Sequence, residues 1–162
     1  MAGWKKICCA VDFSEPSRRA MREAAELARL MGAELTLLHV YVSPPVMATD
    51  MLVAARDLGP MIAEEAEGTV TAWRGEAERL VGAPVSTHVA SGQPEDEIPR
   101  FATEHGTDLL VIATHGRSGL RRLVLGSVAE AVARRAPCPV LVVRSGAEPA
   151  HQDLTAEAAQ YH

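Results

Sequence analysis

The stretch Leu109-Leu-Val-Ile-Ala-Thr-His-Gly-Arg-Ser-Gly-Leu-Arg-Arg-Leu-Val-Leu-Gly-Ser127 decides the fold. Its first five residues form a continuous apolar run too short for a helix, which suits a strand buried on both faces of a parallel sheet. A glycine-punctuated loop follows. From about Ser127 to Arg135 apolar residues return at helical spacing, until Ala136-Pro-Cys-Pro139 stops them. Strand, loop and helix make one βα unit, and the same alternation extends toward both ends of the chain.

Four more short runs read as strands: Ile7–Val11, Leu35–Val40, Val85–Ala90 and Val140–Val143, each bounded by Gly, Pro, Asp or Ser. Between the first two, Ser14-Glu-Pro-Ser17 supplies a hydroxyl cap, an acid and a proline for a helix start, and Met31-Gly32 supplies a glycine for its left-handed end. Ala20, Ala24, Leu27 and Met31 form the stripe predicted to face the sheet. Residues 61–81 repeat the pattern, with Gly82 as the stop; residues 43–60, containing Pro44, Pro45, Gly59 and Pro60, read as a connection with a short helical piece. A third helix occupies part of residues 94–105, where Pro99 requires either a later start or a kink. With right-handed crossovers these units predict an α/β fold, a doubly wound five-stranded parallel sheet with helices on both faces and strand order 3-2-1-4-5. The expected organisation is a single domain over residues 1–144 and an acidic, flexible tail over residues 145–162.

A chain of 162 residues with 48% hydrophobic and 23% charged side chains can bury one sizeable core, which excludes a disordered tail, a collagen-like chain and a bare disulfide scaffold. The formal charge of −5 argues against nucleic-acid and membrane partners. That charge is uneven, however: between residues 115 and 144 six arginines face the single acid Glu130. Cys8 and Cys9 point to opposite faces of their strand, and Cys138 lies between prolines, so the thiols read as unbridged in a reducing compartment. The six histidines show no metal-ligand spacing, and neither a signal segment nor a membrane span is present in the sequence. The expected localisation is cytoplasmic.

In doubly wound sheets ligands bind beyond the carboxyl ends of the strands, where the winding reverses. The segments to inspect are Asp12-Phe-Ser14, Tyr41-Val42, Ser91-Gly92 and Thr114-His-Gly116. Gly116, Gly119, Gly126 and Ser127 fit a phosphate cradle, because glycine lets a ligand approach main-chain N–H groups and a helix start favours anions; Arg117, Arg121 and Arg122 add positive charge. Ser127 fits equally well as a simple helix cap. Asp12 lies across the switch point from that loop, with helix capping as its alternative role. His115 has no identifiable acid or nucleophile partner, which favours a structural or contact role over acid–base work. His39 reads as a hydrogen-bonded core histidine, and Met47, Met51 and Met61 as core filling, with a soft contact surface as their alternative. Glu64, Glu65, Glu67, Glu76 and Glu78 read as a solvated helix face, Asp96 and Glu97 as first-turn acids, and Arg134 and Arg135 as complements to a helix C-terminus.

The sequence resembles the universal stress protein family over roughly residues 4–144. The resemblance rests on Lys5-Lys-Ile-Cys-Cys-Ala-Val-Asp-Phe-Ser-Glu15, Leu37-Leu-His-Val40, Thr114-His-Gly-Arg-Ser-Gly119, Leu125-Gly-Ser-Val-Ala129 and Ala136-Pro-Cys-Pro-Val-Leu-Val-Val143. The family's nucleotide-binding branch carries G-x2-G-x9-G-(S/T), which here reads Ala113-x2-Gly116-x9-Gly126-Ser127, with alanine in place of the first glycine. The resemblance implies that Asp12 contacts the ribose or base edge, that the Val40 main chain meets adenine, and that Gly116, Gly126, Ser127 and Val128 hold phosphates, with Ala113, His115 and Arg117 in the same loop. The implied ligand is ATP, with AMP or another adenine nucleotide as substitutes and magnesium accompanying only the phosphates. The implied function is a stress-response regulatory or signalling module, homodimeric through the last strand (Val140 to Val143). Hydrolysis is expected to be slow at most, since the sequence offers no P-loop lysine, metal-binding acid pair or assignable base. The alternative is a non-nucleotide-binding member, a dimeric interaction or chaperone-like protein in which Ala113 marks a lost site. A nucleotidyltransferase or amidotransfer-type ATPase is disfavoured by the lack of H-I-G-H and S-G-G-x-D-S loops.

Overall fold

Apolar runs without polar alternation must be covered on both faces, and the chain does this with two helical layers. The computed structural model describes residues 3–42, 52–114 and 126–144. The strands β1 (Lys6–Ala10), β2 (Glu34–Tyr41), β3 (Ser86–Ser91), β4 (Leu109–Thr114) and β5 (Val140–Arg144) form one parallel sheet in the order β3-β2-β1-β4-β5. The helices are α1 (Glu15–Met31), α2 (Leu52–Val81), α3 (Pro94–His105) and α4 (Ser127–Arg135). Ile7, Cys9, Val11, Leu35, Leu37 and Val111 pack with α1 and α2; Cys8, Ala10, Leu38, Leu110 and Ile112 pack with α3 and α4. Each fully buried Leu or Ile contributes about 1.5–3 kcal/mol relative to exposure, so these two cores dominate the stability. The three cysteines are unbridged, and burial pushes the Cys9 thiol up to about 12. No helix among the described residues is long and apolar enough to cross a membrane.

The caps of α1 follow the sequence: Ser14 accepts from the Ser17 N–H, and Gly32 takes the left-handed conformation at φ 62. Its buried stripe is Ser17, Ala20, Met21, Ala24, Ala25 and Ala28, with Leu27 partly buried against it. Met31, predicted to join the stripe, is 46% exposed because it lies in the last turn, beyond the packed residues, where the chain swings toward β2.

Two prolines mislead local reasoning. The second helix begins at Leu52, before the expected Met61, and continues through Gly59 and Pro60. Its 30 residues span about 45 Å. Pro60 removes one backbone donor, yet the turns after it are anchored by Ala66, Val70, Trp73 and Ala77, buried at helical spacing. Met61 does not fill the core, being 64% exposed, and Met47 and Met51 lie outside the described residues. In α3, Pro94 occupies the first turn and Pro99 sits inside the helix, so the later start is not taken. Pro99 cannot donate to the Glu95 carbonyl four residues back, and Arg135 Nη1 donates to that oxygen instead, at 3.4 Å, while also pairing with Asp96. Arg135 therefore joins α4 to α3, whereas Arg134 pairs within its own helix with Glu130 at 2.7 Å.

The acidic face of α2 also needs correction. Glu64, Glu65 and Glu67 are exposed, but Glu76 takes Arg18 at 2.8 Å and Arg22 at 2.9 Å from α1, and Glu78 accepts from the Val85 N–H at 3.2 Å. At the amino-terminal end of the strands Asp108 accepts the N–H groups of Lys5 and Lys6, both at 2.9 Å, which holds its carboxyl below the usual range and fixes β1 beside β4.

Candidate functional site

Where β1 stops, its neighbours continue. The last paired residue of β1, Ala10, stands between Leu38 of β2 and Ile112 of β4, while β2 runs on to Tyr41 and β4 to Thr114. The chain leaves β1 for α1 on one face, and α3 and α4 cover the other. The result is a cleft of about 230 Å³ at the reversal of winding. Asp12, Val40 and Ala113 line it from the strand ends, and Gly126, Ser127 and Val128 line it from the start of α4. Six of the predicted positions thus share one cleft; His115, Gly116 and Arg117 lie outside the described residues. Val40 follows the last residue of β2 beside β1 by two, so its main chain borders the opening.

Asp12 is not the cap of α1; it holds Ser14, which is, and it borders the cleft. Its Oδ1 accepts the N–H of Ser14 at 3.0 Å and the Ser14 hydroxyl, and Ser14 in turn caps α1. Its own N–H donates to the buried Ser17 hydroxyl at 3.0 Å. The carboxylate is exposed and borders the cleft, so these bonds orient it without burying it.

At the other wall, α4 starts without a side-chain cap. Gly126 is the N-cap residue, and Ser127, predicted as either cradle or cap, occupies the first helical position and forms no cap. The first N–H groups of any helix lack partners within it, and here the residues that carry them, Ser127 to Ala129, line the cleft. Gly126 sits at φ −60, which any residue adopts, and among the described residues an added Cβ would meet only Thr114 Oγ1, at an ordinary 3.7 Å. Neither its backbone nor its packing against the described residues demands glycine at 126. Ser, Thr, Asp or Asn would cap the helix better, and glycine supplies no side chain to cover its donors. Thr114, which the sequence places among the segments to inspect without a role of its own, accepts the Gly126 N–H at 3.2 Å and so ties the start of α4 to the end of β4. The available signal was a hydroxyl residue closing an apolar strand twelve positions before that glycine.

Residues 3–144 match the model of the Universal stress protein family. The chain belongs to the universal stress protein family. Universal stress protein MJ0531 of Methanocaldococcus jannaschii is 33% identical over 141 residues, covering 87% of this chain and 82% of that protein. Universal stress protein UspA from Lactobacillus plantarum shares the fold with a TM-score of 0.77 at 26% identity, covering 89% of this chain and all of that one. The universal stress protein from Archaeoglobus fulgidus in complex with dAMP aligns with a TM-score of 0.60 at 26% identity, covering 88% of this chain and 99% of that one.

Ala113 is where this universal stress protein departs from the family's glycine pattern. It lies in β4 with negative φ, and it packs against the cluster shared with α1, the side opposite α3 and α4. Its neighbours Ile112 and Val111 alternate accordingly between the two cores. The methyl therefore serves the α1 side of the sheet. Ala113→Gly should lower stability by about 0.5–1 kcal/mol, read by chemical denaturation, because glycine weakens a strand interior. Any nucleotide affinity should change little, and a large gain on removing the methyl would show that it obstructs the cleft.

Proposed function

We propose that this universal stress protein binds an adenine nucleotide, ATP foremost, in the cleft between the ends of β1 and β4, and acts as a stress-response regulatory module. The observation that carries the reading is Gly126: a helix start with no side-chain cap from its N-cap residue lines the cleft through a glycine that neither its backbone nor its packing against the described residues requires. Phosphate oxygens suit such N–H groups and the positive end of the α4 dipole. Ser127 and Val128 supply main-chain donors, and Asp12 on the other wall supplies an oriented acceptor for a sugar hydroxyl or base edge. Val40 offers its main chain to adenine, and His115, Gly116 and Arg117 complete the phosphate loop. Support also comes from the Archaeoglobus relative, whose complex holds dAMP. Magnesium would arrive with the phosphates, and hydrolysis would be slow at most.

Calorimetry and thermal melting with ATP, AMP and cyclic AMP test this directly. A ligand that binds only the native state raises its apparent stability. ATP should raise the melting temperature, and Gly126→Ala should weaken binding about tenfold or more while costing roughly 1 kcal/mol or less of stability. No shift with any of the three nucleotides at millimolar concentration would overturn the reading, and multiple turnovers per minute with magnesium would overturn slow hydrolysis.

The working unit in this reading is one cytoplasmic domain over residues 1–144 with a tail over residues 145–162, paired as a homodimer through Val140 to Val143. In support, β5 is an edge strand hydrogen-bonded only to β4, and Leu141 on it is 37% exposed. Val142→Glu should yield monomers by size-exclusion chromatography, and an unchanged elution volume would count against strand pairing.

A further inference from the structure

Phe13 is the single non-glycine residue with positive φ among those described, at 64. That conformation is unfavourable for a bulky side chain and persists only where the surroundings over-determine it. The surroundings are two aromatic rings from distant parts of the chain. The Phe13 ring stacks on His39 of β2, with centroids 4.2 Å apart, and meets the edge of Trp73 of α2 at 5.5 Å. Trp73 is buried and carries the Arg18 guanidinium 4.9 Å above its ring, and Arg18 is held in turn by Glu76. His39 Nδ1 lies 2.8 Å from the Val11 carbonyl oxygen, so that nitrogen carries the proton and donates.

Both neighbours of Asp12 are therefore fastened from the α1–α2 side: Val11 through its carbonyl, Phe13 through its ring. None of Phe13, His39 and Trp73 lines the cleft. The left-handed turn at residue 13 sends the ring into the helical layer while Asp12 stays at the cleft wall. We infer that Phe13, clamped between His39 and Trp73, is a positioning residue that fixes the Asp12 carboxylate at the cleft and sets how strongly the protein reads the sugar or base edge of its ligand. The ligand half of this inference rests on the proposed nucleotide reading; the clamp itself does not.

Phe13→Ala, Phe13→Gly and Phe13→Tyr separate the clamp from general stability. Glycine relieves the φ strain but removes the ring, and tyrosine keeps the ring. Amide hydrogen exchange followed by NMR reads the turn directly, because the Asp12 and Ser14 N–H groups both donate to side chains within it. Exchange at these two amides should quicken about tenfold in the Ala and Gly variants relative to Cys9 in β1, and return to the wild-type rate in the Tyr variant. ATP affinity should fall about tenfold in the Ala and Gly variants, with no further loss when either is combined with Asp12→Ala, since both changes act through one carboxylate. Wild-type exchange in Phe13→Ala, or wild-type behaviour in Phe13→Gly, would overturn the clamp. Wild-type protein that binds no nucleotide while the exchange rates respond as stated would remove the ligand reading and support the clamp. Nucleotide binding weakened by Asp12→Ala but untouched by the Phe13 variants would do the reverse.

Discussion

The early end of β1 governs the rest of the molecule. Because the β1 ladder ends at Ala10 while β2 and β4 continue, the sheet splits at its centre, and residues of α1, α3 and α4 line the gap. Everything at the cleft inherits its position from that split. Asp12 is the second residue past the last rung, Val40 borders the edge that β1 no longer covers, and the start of α4 is tied back to β4 by the Thr114 hydroxyl. The two cores hold the split open, since each buries its own set of alternating strand residues.

The electrostatics of the cleft are simpler than the charge count suggests. Six arginines fall between residues 115 and 144, which invites a reading of a basic pocket. Two of them are committed elsewhere: Arg134 pairs with Glu130, and Arg135 serves the α3 carbonyl that Pro99 leaves without a donor, together with Asp96. Among the described residues lining the cleft, the positive element is the uncapped start of α4, a short-range field suited to a small anion rather than a polyanion.

Much of this was legible in the sequence because it follows from periodicity and capping. The positions of the five strands, the Ser14 and Gly32 caps of α1, and the end of α4 before Pro137 each depend on rules that act within a few residues. The start of α2 did not, since Gly59-Pro60 breaks helices locally and only packing by Ala66, Val70 and Trp73 shows that this one continues. Glu76 looked like surface until α1 brought Arg18 and Arg22 to it. At the site, Asp12, Gly126 and Ser127 could be picked out by residue type and spacing. Phe13 could not, because left-handed turns are expected at glycine and its supports, His39 and Trp73, converge only in three dimensions.

The central claim is that one cleft, bounded by Asp12, Val40 and the start of α4, receives an adenine nucleotide. Titrating isotope-labelled protein with ATP and following backbone amide shifts locates the ligand without presupposing its site. The account predicts the largest changes at Asp12, Val40, Gly126, Ser127 and Val128. Changes concentrated on the outer surface of α2 or at the free edge of β3, with those five amides unmoved, would contradict it.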